Sequence, residues 1–525
     1  MIFDEEKALL LVERLLSFGV SKGLLLPIDV FAARNSICRL LKLTPQESLF
    51  EGNYESTVDI SETAWAYMQE LLDYCRDKGL LVSNSDAGRD LMDAEIMGLI
   101  TPRESEVTAA FYKDYEKSPE TASDNFHNLS RVCNYIQVER IKKDKRWLYS
   151  SEYGDLEISI NISKPEKDPI DIAAAKSLPQ TAYPKCLLCV ENVGFAGNLN
   201  YPARQNLRVI PMNINREQWY FQYSPYQYYN EHCIVLSHEH RPMKIDSNTF
   251  RALLDFLDIL PHYFIGSNAD LPIVGGSILS HDHFQGGRHV FPMEKALAYQ
   301  EYRHDDYAAI SVSLVKWPLS VIRISGSDRE TLVGLAMRIL NVWKGYSDLE
   351  ADILAQTLDE NGSIVPHNTI TPIARRNKVG SYEFDLVLRN NRTTTEYPMG
   401  IFHPHEELHH IKKENIGLIE VMGLAILPGR LASELEAVVD YLTCSDTEPD
   451  PVHLPWADGL LGKYGQLNSK VEAEEVVRKE VGEVFKMVLS DAGVFKDTAP
   501  GRERFMRFME MAGFVELLRP FNSTP

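Results

Sequence analysis

Along the first 145 residues, hydrophobic side chains recur at intervals of three and four positions. The segments EEKALLLVERLLSF, DVFAARNSICRLLKL, ETAWAYMQELLDYCRDKGLL and TPRESEVTAAFYKDYEKS all show this spacing, which is typical of helices with one buried face. Asp29, Ser61 and Thr101 stand at the starts of three of these segments, and we interpret them as helix caps. We therefore predict a helical N-terminal region over residues 1–145.

The period changes to two near Trp147, where WLYSSEYGDLEISINI begins. Between about residues 150 and 430, EISINI, CIVLSHEH, SVIRIS and YEFDLVLRN have the pattern of strands, while TFRALLDFLDILPHYF and RETLVGLAMRILNVWKGY have the helical spacing. Strands and helices do not alternate strictly, so the pattern favours an α+β fold with an antiparallel sheet over a doubly wound parallel sheet. Helical spacing returns in RLASELEAVVDYL and AEEVVRKEVGEVFKMVL. We predict an α+β core over residues 146–430 and a helical C-terminal region over residues 431–525.

The composition narrows the class of protein. The chain has 525 residues, of which 44% are hydrophobic and 25% charged, and its net charge is −21. This length favours two or three domains. So acidic a chain argues against nucleic acid or an anionic membrane as the main partner. Phosphorylated small molecules are compatible with it, because their sites need only a few local cations and backbone amides.

The start of the chain lacks the pattern of a secretory signal. The opening MIFDEEKALLLVERLL carries acidic residues where a signal peptide has basic ones, and no apolar run reaches the length of a membrane span. An odd number of cysteines in a long chain is typical of a reducing compartment. We therefore expect a cytoplasmic protein. Its seven cysteines are Cys38, Cys75, Cys133, Cys186, Cys189, Cys233 and Cys444.

The segment VGGSILSHDHFQGG has the strongest pattern of chemically active side chains. Read as a strand between glycine pairs, it places His281, His283 and Gln285 on one face and Asp282 and Phe284 on the other. The glycines remove side chains where a backbone turns sharply or approaches a ligand closely. The segment therefore presents two imidazoles and an amide together beside open backbone.

These side chains suit attack on phosphorus. A neutral imidazole can form a phosphoramidate and so divide one transfer into two easier steps, provided that an acceptor holds its other ring nitrogen. Gln285 can donate two N–H bonds to phosphate oxygens but cannot deliver a proton, which favours a leaving group that departs as an anion, such as a sugar phosphate. From the spacing alone, a metal-binding pair or a hydrogen-bonded polar patch remains open for His281 and His283.

A metal site is indicated by KCLLCVENVGFAGN, where Cys186 and Cys189 have the spacing of half a zinc site. Two further ligands are needed, and HCIVLSHEHRP offers three histidines that share one face of a strand, namely His232, His238 and His240. Two thiolates and two imidazoles fill a zinc tetrahedron, which leaves no open position for catalysis and makes such a metal structural.

A second His-x-His pair, His403 and His405, resembles the pair at His281 and His283. The repeated motif suggests that the core arose by duplication and later diverged. The pair also offers ligands for a second metal, although a solvated polar loop is the favoured interpretation.

Substrate contacts are suggested by two polar segments. INISKPEKDPIDIAAAK places Lys164 and Lys167 where a strand leads into a helix, which suits a diphosphate, although a solvated turn fits equally well. GNLNYPARQNLRVIP supplies side chains that could read a uracil edge or a ribose and grip a phosphate, while its asparagines could also serve as turn residues. These side chains are Asn198, Arg204, Asn206 and Arg208.

A third segment, VPHNTITPIARRNKVGSYEF, forms a basic cluster in an otherwise acidic chain. Arg375, Arg376 and Lys378 could meet a sugar phosphate, but a solvated loop is the preferred interpretation.

The motif GGSILSHDHFQGG is similar to the active-site segment of the galactose-1-phosphate uridylyltransferases of the histidine-triad superfamily, in their second, mainly bacterial class. The first class has His-Pro-His-x-Gln, where this chain has Asp282 in place of the proline. YGDLEISINISKPEKDP, YSPYQYYNEHCIVLSHEHRPM and FHPHEELHHIKKENIGLIEVMGLAILPGRL also resemble the second class, so the resemblance covers about residues 150–430. It implies a histidine-triad-like antiparallel core.

The resemblance also implies roles for individual residues. His283 would be the nucleophile that becomes uridylylated, and Gln285 would support the transferring phosphoryl group. Asn268 and Ser277 fall near the positions where first-class relatives contact that group, with the spacing off by one or two residues. The implied ligands of a structural zinc ion are Cys186, Cys189, His240 and His281.

The implied reaction belongs to galactose metabolism, the Leloir pathway. UMP passes from UDP-glucose to galactose 1-phosphate through a covalent uridylyl-histidine, with a UDP-hexose and a hexose 1-phosphate as substrates and no organic cofactor. A homodimer is expected by analogy with the first class. The alternatives are a nucleotide phosphorylase or hydrolase of the same superfamily, and a zinc-braced binding protein in which His281 and His283 are both ligands. A third histidine in place of Gln285 would have favoured hydrolysis.

Overall fold

The computed structural model describes residues 5–45, 63–163, 183–276, 278–443 and 447–517. Its first part is helical, as the sequence predicts. The helices are α1 (Glu5–Ser21), α2 (Val30–Leu41), α3 (Trp65–Asp77), α4 (Asp86–Gly98), α5 (Glu104–Tyr115), α6 (Pro119–Val132) and α7 (Val138–Ile141).

The predicted caps are only partly right. Asp29 does precede α2, but its side chain makes no capping hydrogen bond. Thr101 is not a cap, because α5 begins three residues later and Arg103 occupies the cap position. Thr101 instead donates its hydroxyl hydrogen bond to the carbonyl of Met97, at 2.7 Å. Ser61 lies outside the described residues.

Two similar runs of elements follow. A short hairpin of β1 (Lys145–Ser151) and β2 (Gly154–Asn161) precedes them. The first run is β3 (Ile210–Ile214), β4 (Glu217–Tyr223), β5 (Cys233–Ser237), α8 (Ser247–Ile259), β6 (Phe264–Gly266) and β7 (His283–Gly287). After α9 (Pro292–Lys295), the second run is β8 (Ala298–Arg303), β9 (Ser311–Val315), β10 (Val321–Gly326), α10 (Arg329–Gly345), the hairpin of β11 (Gln356–Leu358) and β12 (Ile364–Pro366), β13 (Asn368–Arg376) and β14 (Tyr382–Asn390).

The large sheet confirms an α+β fold with an antiparallel core, and its strand order shows a duplication. The first run pairs in the order β3-β4-β5-β7-β6 and the second in the order β8-β9-β10-β14-β13. Each half is therefore a three-stranded meander, a helix and two strands, and the halves join where β6 pairs with β13. The pair at His403 and His405 follows β14, whereas His283 begins β7, so the two His-x-His pairs are not counterparts.

One face of the sheet is apolar and covered by helices. On β7, Phe284 stacks on Trp219 of β4 with ring centroids 4.8 Å apart, and both side chains are buried. Helix α8 buries Phe250, Leu253, Leu254 and Leu257 against this side of the molecule. A slip of one residue in β7 would expose Phe284 and bury its polar neighbours, so this packing fixes the register. His283 and Gln285 consequently point to the opposite face.

The rest of the chain is helical with two further strands. Its elements are α11 (Leu418–Val421), β15 (Leu424–Pro428), α12 (Leu431–Leu442), α13 (Leu454–Tyr464), α14 (Lys470–Ala492), α15 (Ala499–Met511) and β16 (Val515–Leu517). Strand β15 pairs in parallel with β2, and β16 adds to the large sheet beside β8. Among the described residues, no helix combines the length and the apolar character that a membrane span requires.

The prediction of a solvated loop was wrong for Arg375 and Arg376, which lie in a strand, whereas Lys378 does lie in an exposed turn. Arg375 lies in β13, is 5% exposed and pairs with Asp385 of β14 at 2.8 Å. Arg376 points to the other side of the strand, where it pairs with Asp258 at 2.6 Å. Strand alternation separates the two side chains, and acidic partners from neighbouring elements neutralise both.

Candidate functional site

His283 begins β7, and its ring is held in one tautomer. The Nδ1 atom lies 2.8 Å from the backbone carbonyl oxygen of His281. Because a carbonyl oxygen can only accept, Nδ1 must carry the hydrogen and Nε2 keeps the lone pair. No described residue forms a hydrogen bond with Nε2, and the ring lines a cavity of about 930 Å³. Burial lowers the pKa of His283 to about 4, so the ring is neutral near pH 7.

Gln285 is oriented by His232, on the neighbouring strand. The Nε2 atom of His232 lies 3.1 Å from Oε1 of Gln285. Burial lowers the pKa of His232 to about 4, so this imidazole is neutral and donates its N–H to the amide oxygen. The amide nitrogen of Gln285 then remains available to donate into the cavity. In the sequence, the position of His232 on one strand face with His238 and His240 suggests only a metal ligand and gives no sign of this contact.

Asn268 closes the cavity on the other side of β7. Its Oδ1 accepts a hydrogen bond from the backbone N–H of Leu418 at 2.9 Å. A Cβ atom placed on Gly276 would lie 2.6 Å from Nδ2 of Asn268, so glycine is required for this close approach. Both residues line the cavity. Ser277, Lys164 and Lys167 lie outside the described residues, and their roles stay predictions.

The other predicted substrate contacts also line the cavity. The amide nitrogen of Asn206 donates to the carbonyl of Cys133 at 3.0 Å, and the guanidinium of Arg204 lies 5.6 Å from the ring centroid of Tyr135. Asn198 accepts a hydrogen bond from the backbone N–H of Asn200 at 2.8 Å, which is the contact of a turn residue. These three side chains therefore serve local structure as well as facing the cavity.

The N-terminal helices supply a wall of the cavity that the sequence did not reveal. Asp90 and Asp93 of α4, and Asn134, Tyr135 and Gln137 after α6, all line it. They approach the sheet from positions 146 to 193 residues before His283. A volume of about 930 Å³ is enough to enclose a nucleotide sugar.

A cluster of four metal-ligand side chains lies next to His283. The Sγ atom of Cys186 is 3.2 Å from Nδ1 of His281, and the Sγ atom of Cys189 is 3.2 Å from Nδ1 of His240. All four ligand atoms lie within 4.8 Å of one another. The Nε2 atom of His281 lies 2.9 Å from the carbonyl oxygen of Ser237, so Nε2 carries the hydrogen and Nδ1 offers its lone pair to the cluster.

This donor set fits a tetrahedral metal ion, because two thiolates and two imidazoles are the ligands of a closed structural site. His283 is not part of the cluster, and its Nδ1 is used by the His281 carbonyl. His238 lies beside Tyr220 instead, with Nδ1 3.3 Å from the phenol oxygen. The arrangement keeps the cavity-facing imidazole separate from the metal-ligand side chains.

The second histidine pair shows no comparable cluster. His403 lies 3.3 Å from the amide oxygen of Asn415, and His405 lies 3.2 Å from the carbonyl oxygen of Ile401. In the part of the chain that the structure describes, no second group of three or more ligand side chains comes together. The favoured interpretation of a solvated polar loop is wrong for His403, which is buried, while His405 is half-buried.

Comparison with known proteins identifies the family. Residues 33–242 match the family described as galactose-1-phosphate uridyl transferase, N-terminal domain, and residues 256–457 match its C-terminal domain. A galactose-1-phosphate uridylyltransferase of Caldanaerobacter subterraneus is 55% identical over 516 residues, which cover 96% of this chain and 98% of the relative. The protein of that name from Clostridium acetobutylicum is 50% identical, with coverage of 95% and 99%.

A solved structure, that of the yeast Ap4A phosphorylase Apa2, is 10% identical in sequence. The match covers 70% of this chain and 94% of the yeast chain, and its TM-score of 0.32 is too low to support an argument. The bacterial relatives share nearly the whole length of this chain at about half identity. By these matches, the chain belongs to the galactose-1-phosphate uridylyltransferase family.

Proposed function

We propose that this protein exchanges UMP between UDP-glucose and galactose 1-phosphate through a covalent uridylyl-histidine at His283. One observation carries the proposal. The Nδ1–H of His283 donates to a backbone carbonyl, so the lone pair on Nε2 is available for attack, and the ring lines the cavity. The close relatives named galactose-1-phosphate uridylyltransferase support the choice of substrates.

In the first step, Nε2 of His283 attacks the α-phosphorus of UDP-glucose. The N–P bond forms as the bond from that phosphorus to the bridging oxygen breaks, and glucose 1-phosphate leaves with the electron pair. No proton is transferred, because Nδ1 keeps its hydrogen bonded to the His281 carbonyl. In the second step, a phosphate oxygen of galactose 1-phosphate attacks the same phosphorus, the N–P bond breaks, and UDP-galactose forms.

Gln285 contributes by donating to the non-bridging oxygens of the transferring group. Its amide nitrogen is available because His232 binds the amide oxygen. A donor of this kind, fixed before the reaction, is worth about 10²–10³ in rate. Since an amide cannot act as an acid, the site favours sugar phosphates that leave as anions over leaving groups that need a proton.

We further propose that Cys186, Cys189, His240 and His281 hold a structural zinc ion. When bound, it would cross-link the segment around Cys186 to the start of β7 and provide no open coordination position. The carbonyl of His281 accepts the hydrogen bond from His283, so fixing His281 also fixes the nucleophile.

Replacing Cys189 with serine is expected to remove the bound metal and to lower the thermal unfolding temperature by several degrees. One of four ligands is lost, and structural metal sites contribute directly to folding stability. Metal content by mass spectrometry and unfolding by circular dichroism measure the two effects. Cys38→Ala in α2 is the matched control, because this buried thiol lies outside the cluster and its loss should leave the metal content unchanged. Full metal content in the Cys189→Ser protein would contradict the assignment.

The proposed reaction is tested with UDP-glucose labelled in the uridine. After mixing and denaturation in alkali, we expect about one label per chain, released by acid because it is held as a phosphoramidate. Adding galactose 1-phosphate before denaturation should remove the label as UDP-galactose. A hydrolase would release free UMP without the second sugar, and a non-catalytic metal protein would take no label. Either result would reject the proposal.

A further inference from the structure

The cavity has walls on both sides of β7. The N-terminal region is joined to the β3–β4 side: Tyr223 of β4 donates to the carbonyl of Ser123 in α6 at 2.9 Å, and Asn206, just before β3, donates to the carbonyl of Cys133 at 3.0 Å. In the sheet, β4 is two strands from β7, which is about 10 Å. The cavity residues after α6 therefore flank His283 from this side.

The opposite wall is joined to the β6–β14 side. Leu418 donates its backbone N–H to Asn268, which follows β6, and Arg389 of β14 donates to the carbonyl of Ile416 at 2.9 Å. This wall carries Lys412, whose ammonium lies 3.0 Å from Glu420. The two walls thus separate the space around His283 into a region on the N-terminal side and a region on the Lys412 side.

Asp93 stands out in the N-terminal wall because it is buried without a cationic partner. It is 5% exposed, and no Lys or Arg of the described residues forms an ion pair with it. Its two oxygens both accept from the amide nitrogen of Asn134, at 2.9 and 2.8 Å. A carboxylate can accept about four hydrogen bonds, so a neutral amide leaves most of this capacity unused. Burial raises the pKa of Asp93 to about 7.

Asp90, one turn earlier on α4, differs from Asp93 because it has a cationic partner within the protein. Arg140 binds both of its oxygens, at 2.9 and 2.5 Å. The charge of Asp90 is therefore neutralised within the protein, whereas that of Asp93 is not. A buried carboxylate with unused acceptors that faces a substrate cavity is a candidate for binding hydroxyl groups.

The surroundings of Asp93 suit a nucleoside. Tyr135, Gln137, Asn206 and Gln222 line the same side and offer an aromatic ring and amides, the groups that stack on a base and bind its edge. On the opposite wall, the ammonium of Lys412 is already paired with Glu420 at 3.0 Å and with Glu414 at 3.6 Å. We infer that Asp93, held by Asn134, accepts hydrogen bonds from the 2′- and 3′-hydroxyls of the ribose that remains bound through both half-reactions. Two adjacent hydroxyls present two donors to the two carboxylate oxygens.

This inference rests on the proposed function and is tested by the same labelling reaction. Single-turnover uridylylation is measured with UDP-glucose and with its 2′-deoxyuridine analogue. The native protein is expected to use the analogue about 10- to 100-fold less efficiently, as a hydrogen bond to a charged group is lost. The Asp93→Asn variant preserves the shape of the side chain but loses its charge. In this variant, the ratio of the labelling rate with UDP-glucose to the rate with the analogue should fall below about threefold, because the reaction with UDP-glucose itself slows. Glu95→Gln, at an exposed carboxylate of the same helix that does not line the cavity, should keep the native ratio.

Folding of the variant is checked separately. Asp90, Arg140 and Arg89 are the charged groups nearest Asp93, and burial dominates its raised pKa. A raised carboxyl pKa means that native stability falls as the pH rises through about 7. Asp93→Asn should therefore unfold at pH 8 at a temperature no lower than the native protein, so weaker labelling would not reflect misfolding.

Three results separate the hypotheses. If Asp93→Asn keeps the native ratio between UDP-glucose and the 2′-deoxy analogue, the ribose contact is wrong. If the variant instead loses discrimination against 3-methyluridine diphosphoglucose, Asp93 reads the base and the inference is overturned. If the native protein takes no label from UDP-glucose, the proposed function itself fails, irrespective of Asp93.

Discussion

Replacing His283 with asparagine is expected to lower the kcat of nucleotide exchange by about 10⁴-fold or more. An asparagine amide can still donate to the His281 carbonyl, which the native Nδ1–H contacts at 2.8 Å. It has no lone pair that can attack phosphorus, so the covalent route is lost while the local hydrogen bond is preserved. The rate is measured as transfer of label from glucose 1-phosphate into UDP-glucose, which requires the first half-reaction in both directions.

His289 is the control for this substitution, because it is a histidine two residues after β7 that contacts Glu157 at 3.0 Å and does not line the cavity. His289→Asn should exchange label at a rate within about threefold of the native rate, because this half-buried contact lies outside the cavity and an asparagine amide can still donate to Glu157. Stoichiometric labelling that survives in His283→Asn would place the nucleophile on another side chain. The metal content of the variant should be unchanged, because His283 is not one of the four clustered ligands.

The part of the site that lies on one strand could be predicted from the sequence. Alternation along β7 places His283 and Gln285 on one face, and the packing of Phe284 against Trp219 shows why they point away from the core. His232 could not be paired with Gln285 in advance, because the contact depends on the register between β5 and β7. Asp93 lies on a helix 190 residues before His283, so only tertiary packing brings it to the cavity.

The same limit applies to the fold. Helical and strand periods indicated the α+β class, since they depend on neighbours along the chain. The pairing of Arg375 with Asp385 depends on β13 lying beside β14, and sequence analysis interpreted the segment as a loop. The second histidine pair, His403 and His405, suggested a duplication for the wrong reason, because the two pairs are not counterparts. The duplication is visible instead in the strand order of the large sheet. Local patterns therefore predicted elements, and non-local pairing decided which polar residues are buried.

The two halves of the sheet use equivalent strands differently. Strand β7 is the last strand of the first half and β14 the last of the second. Phe384 of β14 packs against Phe250 of α8, with ring centroids 5.5 Å apart, so its neighbour Asp385 points to the opposite, polar face. There, Asp385 is fully buried and bound by Arg323 at 2.6 and 2.9 Å and by Arg375 at 2.8 Å. Where β7 faces an open cavity, β14 faces a closed ion cluster.

Replacing Asp385 with asparagine is therefore expected to lower the free energy of unfolding by about 3–5 kcal/mol. It leaves Arg375 buried and Arg323 partly buried, with only the carboxylates of Glu383 and Glu294 nearby among the described residues. Burial alone would raise the pKa of Asp385, but Arg375 and Arg323 outweigh it and hold the pKa below the usual value. The stabilisation is then present above the ordinary aspartate pKa of about 4 and lost as the pH falls below it. Urea unfolding followed by tryptophan fluorescence measures the change.

The matched control is Glu330→Gln, which removes an exposed ion pair with Arg251 whose atoms are 2.9 Å apart. Such pairs contribute at most about 1 kcal/mol, so this variant should unfold close to the native urea concentration. If Asp385→Asn behaved like the control at pH 7, the cluster would not stabilise the second half of the sheet. A large loss of unfolding free energy in Asp385→Asn at pH 7, becoming smaller towards pH 3, would instead show that the polar face of β14 contributes to stability. The polar face of β7, which has no such ion cluster, is then the one that carries the reaction.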